Sequence, residues 1–299
     1  MKLKYTWIPF LLSLIIVLPM RLYQVINTGG QLFGIDLNDN FLTGVFIYIM
    51  MFFSLIIICM SLFSKKSHET INIHKNNLIG SSLFLISLST IFEAIRDIIY
   101  SGSVNSGGSA MQAVVLLVTA LAAGAAFFIM GMCYMQGRNL FGKMPLLMMF
   151  PTIWLTCKLG ISFMNNRAVS NRSPEMIAIL ANAFLTLFFL YNARIYVLEE
   201  NNNVVKKLYA FGLPAVIFSI IYALPNIYQF IFNYQYYTKT LEVSSITMIL
   251  MSVYIILMLI YRMIGLDEVS EVSDDYEQDT YQAYGSPRAE ESMIRKNKS

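Results

Sequence analysis

Apolar residues dominate eight long segments of this chain, and short polar stretches separate them. Each segment is close to the roughly 20 residues that an α-helix needs to cross the ~30 Å hydrocarbon core of a bilayer. We place the segments at residues 6–27, 41–64, 78–100, 110–134, 144–164, 176–199, 208–231 and 242–264. The pattern therefore predicts an all-α fold, a polytopic integral membrane bundle of about eight transmembrane helices.

The composition excludes a soluble protein of ordinary surface. The chain has 299 residues, of which 57% are hydrophobic and only 13% are charged. Soluble domains carry about 25% charged residues, so this chain has too few to cover a water-facing surface. Its positive residues are scattered among the loops and form no basic patch. We expect the lipid bilayer as its main partner and no nucleic acid.

The last 35 residues differ in kind from the rest. The segment 265–299 holds nine acidic and four basic residues, whereas 1–264 holds nine acidic and 17 basic ones. Low hydrophobicity with high charge gives too little apolar burial to offset the entropy cost of folding. We divide the chain into a helical bundle, 1–264, and a disordered cytoplasmic tail, 265–299. The alternative is that this tail docks a partner protein.

The distribution of Lys and Arg among the loops predicts the orientation. Cytoplasmic loops of membrane proteins are enriched in these residues. The N-terminus and the loops after the second, fourth and sixth segments hold nine of them: Lys2, Lys4, Lys65, Lys66, Lys75, Arg138, Lys143, Lys206 and Lys207. The opposite loops hold three: Arg167, Arg172 and Lys239. We therefore expect an integral protein of the cell membrane with both termini in the cytoplasm.

Charged residues inside the apolar segments are the main candidates for a functional site. Glu93, Arg96 and Asp97 occupy the third segment, and Glu93 and Asp97 share one helical face because they are four residues apart. A charge in hydrocarbon costs about 2.5–3.5 kcal/mol on insertion scales, so such groups face a partner or a water-filled cavity. With the predicted orientation, Arg21 and Lys158 fall at a similar depth in the outer third of their helices.

Two interpretations of these charges stay open. In the structural one, Arg21 and Lys158 extend to the headgroups and Arg96 pairs with Glu93. In the functional one, the charges line an outward-facing pocket for a small solute. The excess of three cations over two anions then favours an anionic or zwitterionic ligand. The candidate ligand-binding residues are Glu93, Arg96, Asp97, Arg21, Lys158, Asn182 and Asn226.

The sequence offers no catalytic or metal-binding motif. It contains no GxSxG or Walker sequence, and its two histidines, His68 and His74, share one polar loop. All three cysteines lie inside predicted spans, which argues against a disulfide framework. We expect no enzyme activity, no metal and no cofactor; an intramembrane enzyme with Glu93 and Asp97 as acid and base is a further alternative. The function favoured is binding, sensing or transport of a small solute, and the alternative is a membrane scaffold or accessory subunit.

Two weaker patterns concern architecture. The second half of the chain loosely repeats the first, which suggests a 4+4 parallel repeat related by an axis along the membrane normal. The fourth segment carries Ala120, Gly124 and Gly131, and small residues allow two helix backbones to approach closely in lipid. That stripe predicts a helix packed inside the bundle, or else a dimerisation face.

Overall fold

The structure, a computed structural model, describes residues 3–27, 40–64, 75–103, 107–137, 145–165, 173–197, 202–232 and 243–284. These residues form eight long α-helices: α1 (Trp7–Asn27), α2 (Asn40–Leu62), α3 (Asn77–Ser103), α4 (Gly107–Gln136), α5 (Phe150–Asn165), α6 (Ser173–Val197), α7 (Asn202–Phe232) and α8 (Val243–Tyr284). All eight are long and apolar enough to cross a membrane. The predicted all-α multi-pass bundle is confirmed.

The helix bounds differ from the predicted ones by more than three residues at three places. A 3-10 turn, Pro145–Met149, comes before α5, so this α-helix begins six residues later than expected. Conversely, α7 begins at Asn202 and includes the polar turn with Lys206 and Lys207.

The third difference is at the end of the bundle. The α8 backbone continues to Tyr284, twenty residues past the boundary expected at 264. No proline follows the span before Pro287, so nothing in that stretch forces the helix to stop. Residues 285–299 of the predicted tail lie outside the described residues.

Six helices form a closed ring, in which each helix from α3 to α8 packs on the next and α8 returns to pack on α3. The remaining pair, α1 and α2, packs together on the outside of the ring against α7. Because α7 is apolar on all sides, it tolerates neighbours all around, and 78% of its span is buried. The ring brings side chains from six helices towards one centre.

Small residues bring α3 and α4 into close contact. Ala120 is fully buried, and a Cβ added to Gly124 would meet Ile91 of α3 at 2.8 Å. A Cβ added to Gly131 would lie 3.0 Å from the backbone oxygen of Gly80. The stripe is an intramolecular packing face, since the space that glycine leaves is filled by α3. The prediction that the whole helix is buried inside the bundle is wrong, because only 39% of the α4 span is buried.

The packing does not follow the twofold pattern that a parallel 4+4 repeat requires. In such a repeat the interface of α6 with α7 corresponds to one of α2 with α3. The structure instead packs α2 against α7 and α1, and the described residues of α2 and α3 share no comparable interface. The loose sequence similarity between the halves therefore does not extend to the arrangement of the helices. It reflects the common composition of membrane helices.

Aromatic side chains fill part of the ring centre. Phe127 of α4 lies 5.4 Å from Phe189 of α6, and Phe189 stacks on Tyr254 of α8 at 6.0 Å between ring centroids. All three residues are fully or almost fully buried. Because α4, α6 and α8 alternate around the ring, these contacts cross it and close it with apolar material.

Candidate functional site

Glu93 and Lys158 form an ion pair between two helices of the ring. Nζ of Lys158 in α5 donates a hydrogen bond to Oε1 of Glu93 in α3 at 2.6 Å. Glu93 precedes Ile99, the last residue of its span, by six positions, and Lys158 precedes Met164 by six. At a rise of 1.5 Å per residue, both lie about 9 Å inside the apolar region. We call the end of the bundle where α3, α5 and α7 finish the Glu93 end.

The Lys158 ammonium has two further neighbours. It donates a second hydrogen bond to Ser244 Oγ at 3.0 Å and lies 5.3 Å from the ring centroid of Trp154. A cation over a Trp face gains about 0.5–2 kcal/mol, depending on how far it is desolvated. The side chains of Lys158 and Glu93 are only 14% and 6% exposed. The sequence-based interpretation that Lys158 extends to the headgroups is therefore wrong.

The first turns of α8 link three helices through side-chain hydroxyl groups. Ser244 accepts from Lys158 of α5, Ser245 Oγ accepts from Asn226 Nδ2 of α7 at 3.1 Å, and Thr247 shares a 2.6 Å hydrogen bond with Ser89 of α3. Each hydroxyl points to a different neighbour because consecutive helical residues are about 100° apart. The start of α8 thus contacts the ion pair through Ser244 and ties α7 and α3 to α8 through Ser245 and Thr247.

Asp97 and Arg96 lie about one turn closer to the helix end and are half-buried. The Asp97 carboxylate interacts electrostatically with Glu93, Arg96 and Lys158. The structure therefore brings four of the predicted residues together, the acidic Glu93 and Asp97 and the basic Arg96 and Lys158. Glu93 takes Lys158 as its ion-pair partner, in place of the Arg96 that the sequence suggested.

The other predicted residues occupy separate positions. Asn226 joins the polar turn of α8 through Ser245. Asn182 of α6 is only 2% exposed, and its Oδ1 has no hydrogen-bond partner among the described residues. Arg21 places its guanidinium over the ring of Phe46, 5.7 Å from the centroid. This contact joins α1 to α2.

One oxygen of the ion pair is left without a partner. Oε2 of Glu93 is buried and accepts no hydrogen bond within the described part of the chain. An unsatisfied buried polar group costs about 1–3 kcal/mol, and more when it is charged. The carboxylate can therefore accept a hydrogen bond from a positive or polar group that comes from outside the chain.

Sequence reasoning missed Ser89, Trp154, Ser244, Ser245 and Thr247. It focused on ionisable residues because these are the most costly in lipid. The pattern Ser244-Ser245-x-Thr247 at the start of an apolar span was visible in the sequence. Only the helix packing, however, shows that Ser244 meets Lys158 of α5 and that the other two hydroxyls bond α7 and α3.

Comparison with known proteins found no relative of this chain: no family model, no curated protein and no solved structure matches it. The eight apolar helices, all of a length that can span a bilayer, identify the chain as a multi-pass membrane protein.

Proposed function

We propose that this protein binds a small anionic or zwitterionic solute at the Glu93 end of the bundle, as a sensor or transporter of that solute. The observation that carries the proposal is the Glu93 carboxylate, which is buried inside an apolar span and keeps one oxygen without a partner. Such a group is rare inside a membrane unless it has a function, because its charge and its unsatisfied acceptor oxygen both lower the stability of the fold.

The surroundings of Glu93 support a binding site. Lys158 and Ser244 supply a donor and an acceptor from two other helices, and Asn226 of α7 bonds Ser245, the neighbour of Ser244 in the chain. Sites for small molecules combine a few such polar groups with apolar and aromatic walls, here exemplified by Trp154. Half-buried Asp97 and Arg96 extend the polar surface towards the helix ends, so they provide a route for a charged solute.

The aromatic contacts in the ring support access from one end only. Phe127, Phe189 and Tyr254 fill the ring centre with buried aromatic rings. A solute that enters at the Glu93 end would meet this apolar barrier before it reached the other end. Transport would require these rings to separate, whereas sensing would not.

The test is a ligand screen on the purified full-length protein in detergent, with melting temperature as the readout. The solute panel contains small carboxylates, phosphate, sulfate and zwitterions. A ligand raises the melting temperature because it binds the folded state only. We expect at least one solute to stabilise the wild type and to lose this effect in Lys158→Met.

Lys207→Met provides the matched control. Lys207 also lies over an aromatic ring, that of Tyr191 at 5.5 Å, but it belongs to the opposite end of the bundle. The ligand effect should survive in this variant. If Lys207→Met abolishes it as fully as Lys158→Met does, the solute does not bind at the Glu93 end.

A second candidate function is a scaffold or accessory subunit. It is favoured by the position of the Glu93–Lys158 ion pair between two helices. The Glu93–Lys158 bond connects α3 and α5, which otherwise contact each other through α4. A purely structural pair would stabilise the ring without any ligand. In that case no solute would shift the melting temperature, and a stoichiometric partner protein would copurify with the full chain but not with a chain lacking 267–299.

A further inference from the structure

We propose that the Glu93–Lys158 pair is a receptor for a compact zwitterion, in which ammonium and carboxylate are attached to the same carbon atom. This inference rests on the proposed function and names the solute class more narrowly. It excludes simple anions as the native ligand, although the sequence alone left them open.

The hydrogen-bonding capacity of the pair carries the inference. A Lys ammonium has three N–H donors. In the described structure Lys158 uses two of them, on Glu93 Oε1 and on Ser244 Oγ. The Glu93 carboxylate has Oε2 left over, buried and without a partner among the described residues. Among the described residues, one N–H of Lys158 therefore has no hydrogen-bond acceptor and one oxygen of Glu93 has no donor. A zwitterion supplies one group to match each.

The spacing of these two groups selects a short ligand. Oε2 belongs to the same carboxylate as Oε1, which is 2.6 Å from the Lys158 Nζ. The free acceptor and the free donor are therefore only a few ångströms apart. A solute whose two charges are joined through one carbon can reach both at once. A solute with a long chain between its charges cannot do so without folding back, which costs rotational entropy.

The charge balance of the cluster points in the same direction. Among the described residues, the cluster holds as many acidic groups, Glu93 and Asp97, as basic ones, Arg96 and Lys158. A solute with a net charge would leave an uncompensated charge in a low-dielectric site, and this is costly. A zwitterion adds no net charge. The Ser244 hydroxyl and the Trp154 ring hold Lys158 in place, so that the pair need not break when the solute binds.

The experiment compares solutes that differ by one charged group. The probes are neutral α-amino acids from glycine to phenylalanine, the carboxylates acetate and propionate, and the amines methylammonium and ethylammonium. The ω-amino acids 4-aminobutyrate and 6-aminohexanoate test the spacing. Binding to the wild-type protein is measured by melting temperature and by calorimetry.

We expect at least one α-amino acid to raise the melting temperature, with little effect from the single-charge and ω-amino probes. Glu93→Gln should weaken its affinity at least about tenfold, because a hydrogen bond to a charged group is worth about 1.5–3 kcal/mol. Should Glu93→Gln fail to fold, the double variant Glu93→Gln/Lys158→Met, which removes both charges, takes its place. Lys207→Met should keep the wild-type affinity.

The outcomes separate this inference from the broader proposal. If propionate or phosphate stabilises the protein as strongly as any α-amino acid, solute binding stands but the zwitterion receptor is wrong. The same holds if binding survives in Glu93→Gln. If no probe and no other solute in the screen shifts the melting temperature, both proposals are wrong.

Discussion

Single side chains in this protein show how a membrane changes the contribution of an ion pair to stability. Lys158 and Glu93 would contribute little as an exposed pair in water, where such bridges are worth about 0–1 kcal/mol. Inside apolar spans neither can lose its partner without leaving a buried charge. The Ser244 hydroxyl and Trp154 ring add contacts that fix the ammonium.

The first prediction concerns this pair. Glu93→Gln and Lys158→Met should each lower the free energy of unfolding by about 3 kcal/mol, the lower end of the range for a broken buried pair. The double variant should lose less than either single variant, because it leaves no uncompensated charge. Chemical unfolding in detergent micelles measures the three values and completes a double-mutant cycle. Additive losses would mean that the two side chains do not interact.

At the scale of helices, glycine, alanine and polar residues make the close contacts, although none of them dominates a hydropathy profile. The α3–α4 interface depends on glycine and alanine, and the α2–α7 interface is held by polar groups at one end. Ser61 Oγ donates a 2.6 Å hydrogen bond to the backbone oxygen of Lys206, and Lys206 Nζ donates to the backbone oxygen of Ser64. Lys206 thus satisfies a carbonyl that follows the last turn of α2.

The second prediction uses two glycines in helix interiors. Gly124→Ala places a Cβ 2.8 Å from Ile91 Cγ1, and the stiff β-branched side chain of Ile91 cannot easily move away. We expect a loss of about 1–3 kcal/mol from overpacking. In Gly160→Ala the new Cβ meets nothing within 4 Å. That control should be neutral or gain up to about 1 kcal/mol from helix propensity, as measured by unfolding. Equal effects would contradict the close packing of α3 on α4.

The third prediction compares two adjacent lysines of α7. Lys206→Met should destabilise the protein by about 1–3 kcal/mol, because the Ser64 carbonyl loses its charged donor. Lys207→Met removes only a contact with the Tyr191 ring and should cost no more than about 1 kcal/mol. Thermal unfolding of the two variants provides the comparison. A larger loss for Lys207→Met would show that α2 does not depend on Lys206.

At the scale of the whole molecule, the ring of six helices accounts for both the site and its closure. Helices that are distant in sequence, α3, α5, α7 and α8, place polar groups at one depth near one end. Alternate helices α4, α6 and α8 close the ring with Phe127, Phe189 and Tyr254. The outer pair, α1 and α2, exposes apolar side chains such as Ile15 and Phe52 to the lipid.

The fourth prediction concerns orientation in the membrane. The excess of Lys and Arg in the loops after α2, α4 and α6 favours the cytoplasmic side for these loops. In a background without native cysteines, Ala168→Cys should react with a membrane-impermeant maleimide added to intact cells. Ser67→Cys should react only after the cells are opened. The reverse pattern would place the Glu93 end in the cytoplasm.

The sequence by itself determined the eight spans, since hydrocarbon thickness sets the length of an apolar helix and a helix satisfies its backbone hydrogen bonds internally in lipid. It also pointed to Glu93, Asp97 and Lys158, because charges in lipid are costly enough to stand out. The tertiary structure decided which charges pair, which hydroxyls of α8 join them and why the two halves are not symmetric. These features depend on contacts between residues far apart in the chain, such as Ser89 and Thr247, which are 158 positions apart. No local pattern encodes such contacts, because they follow from how whole helices pack against one another.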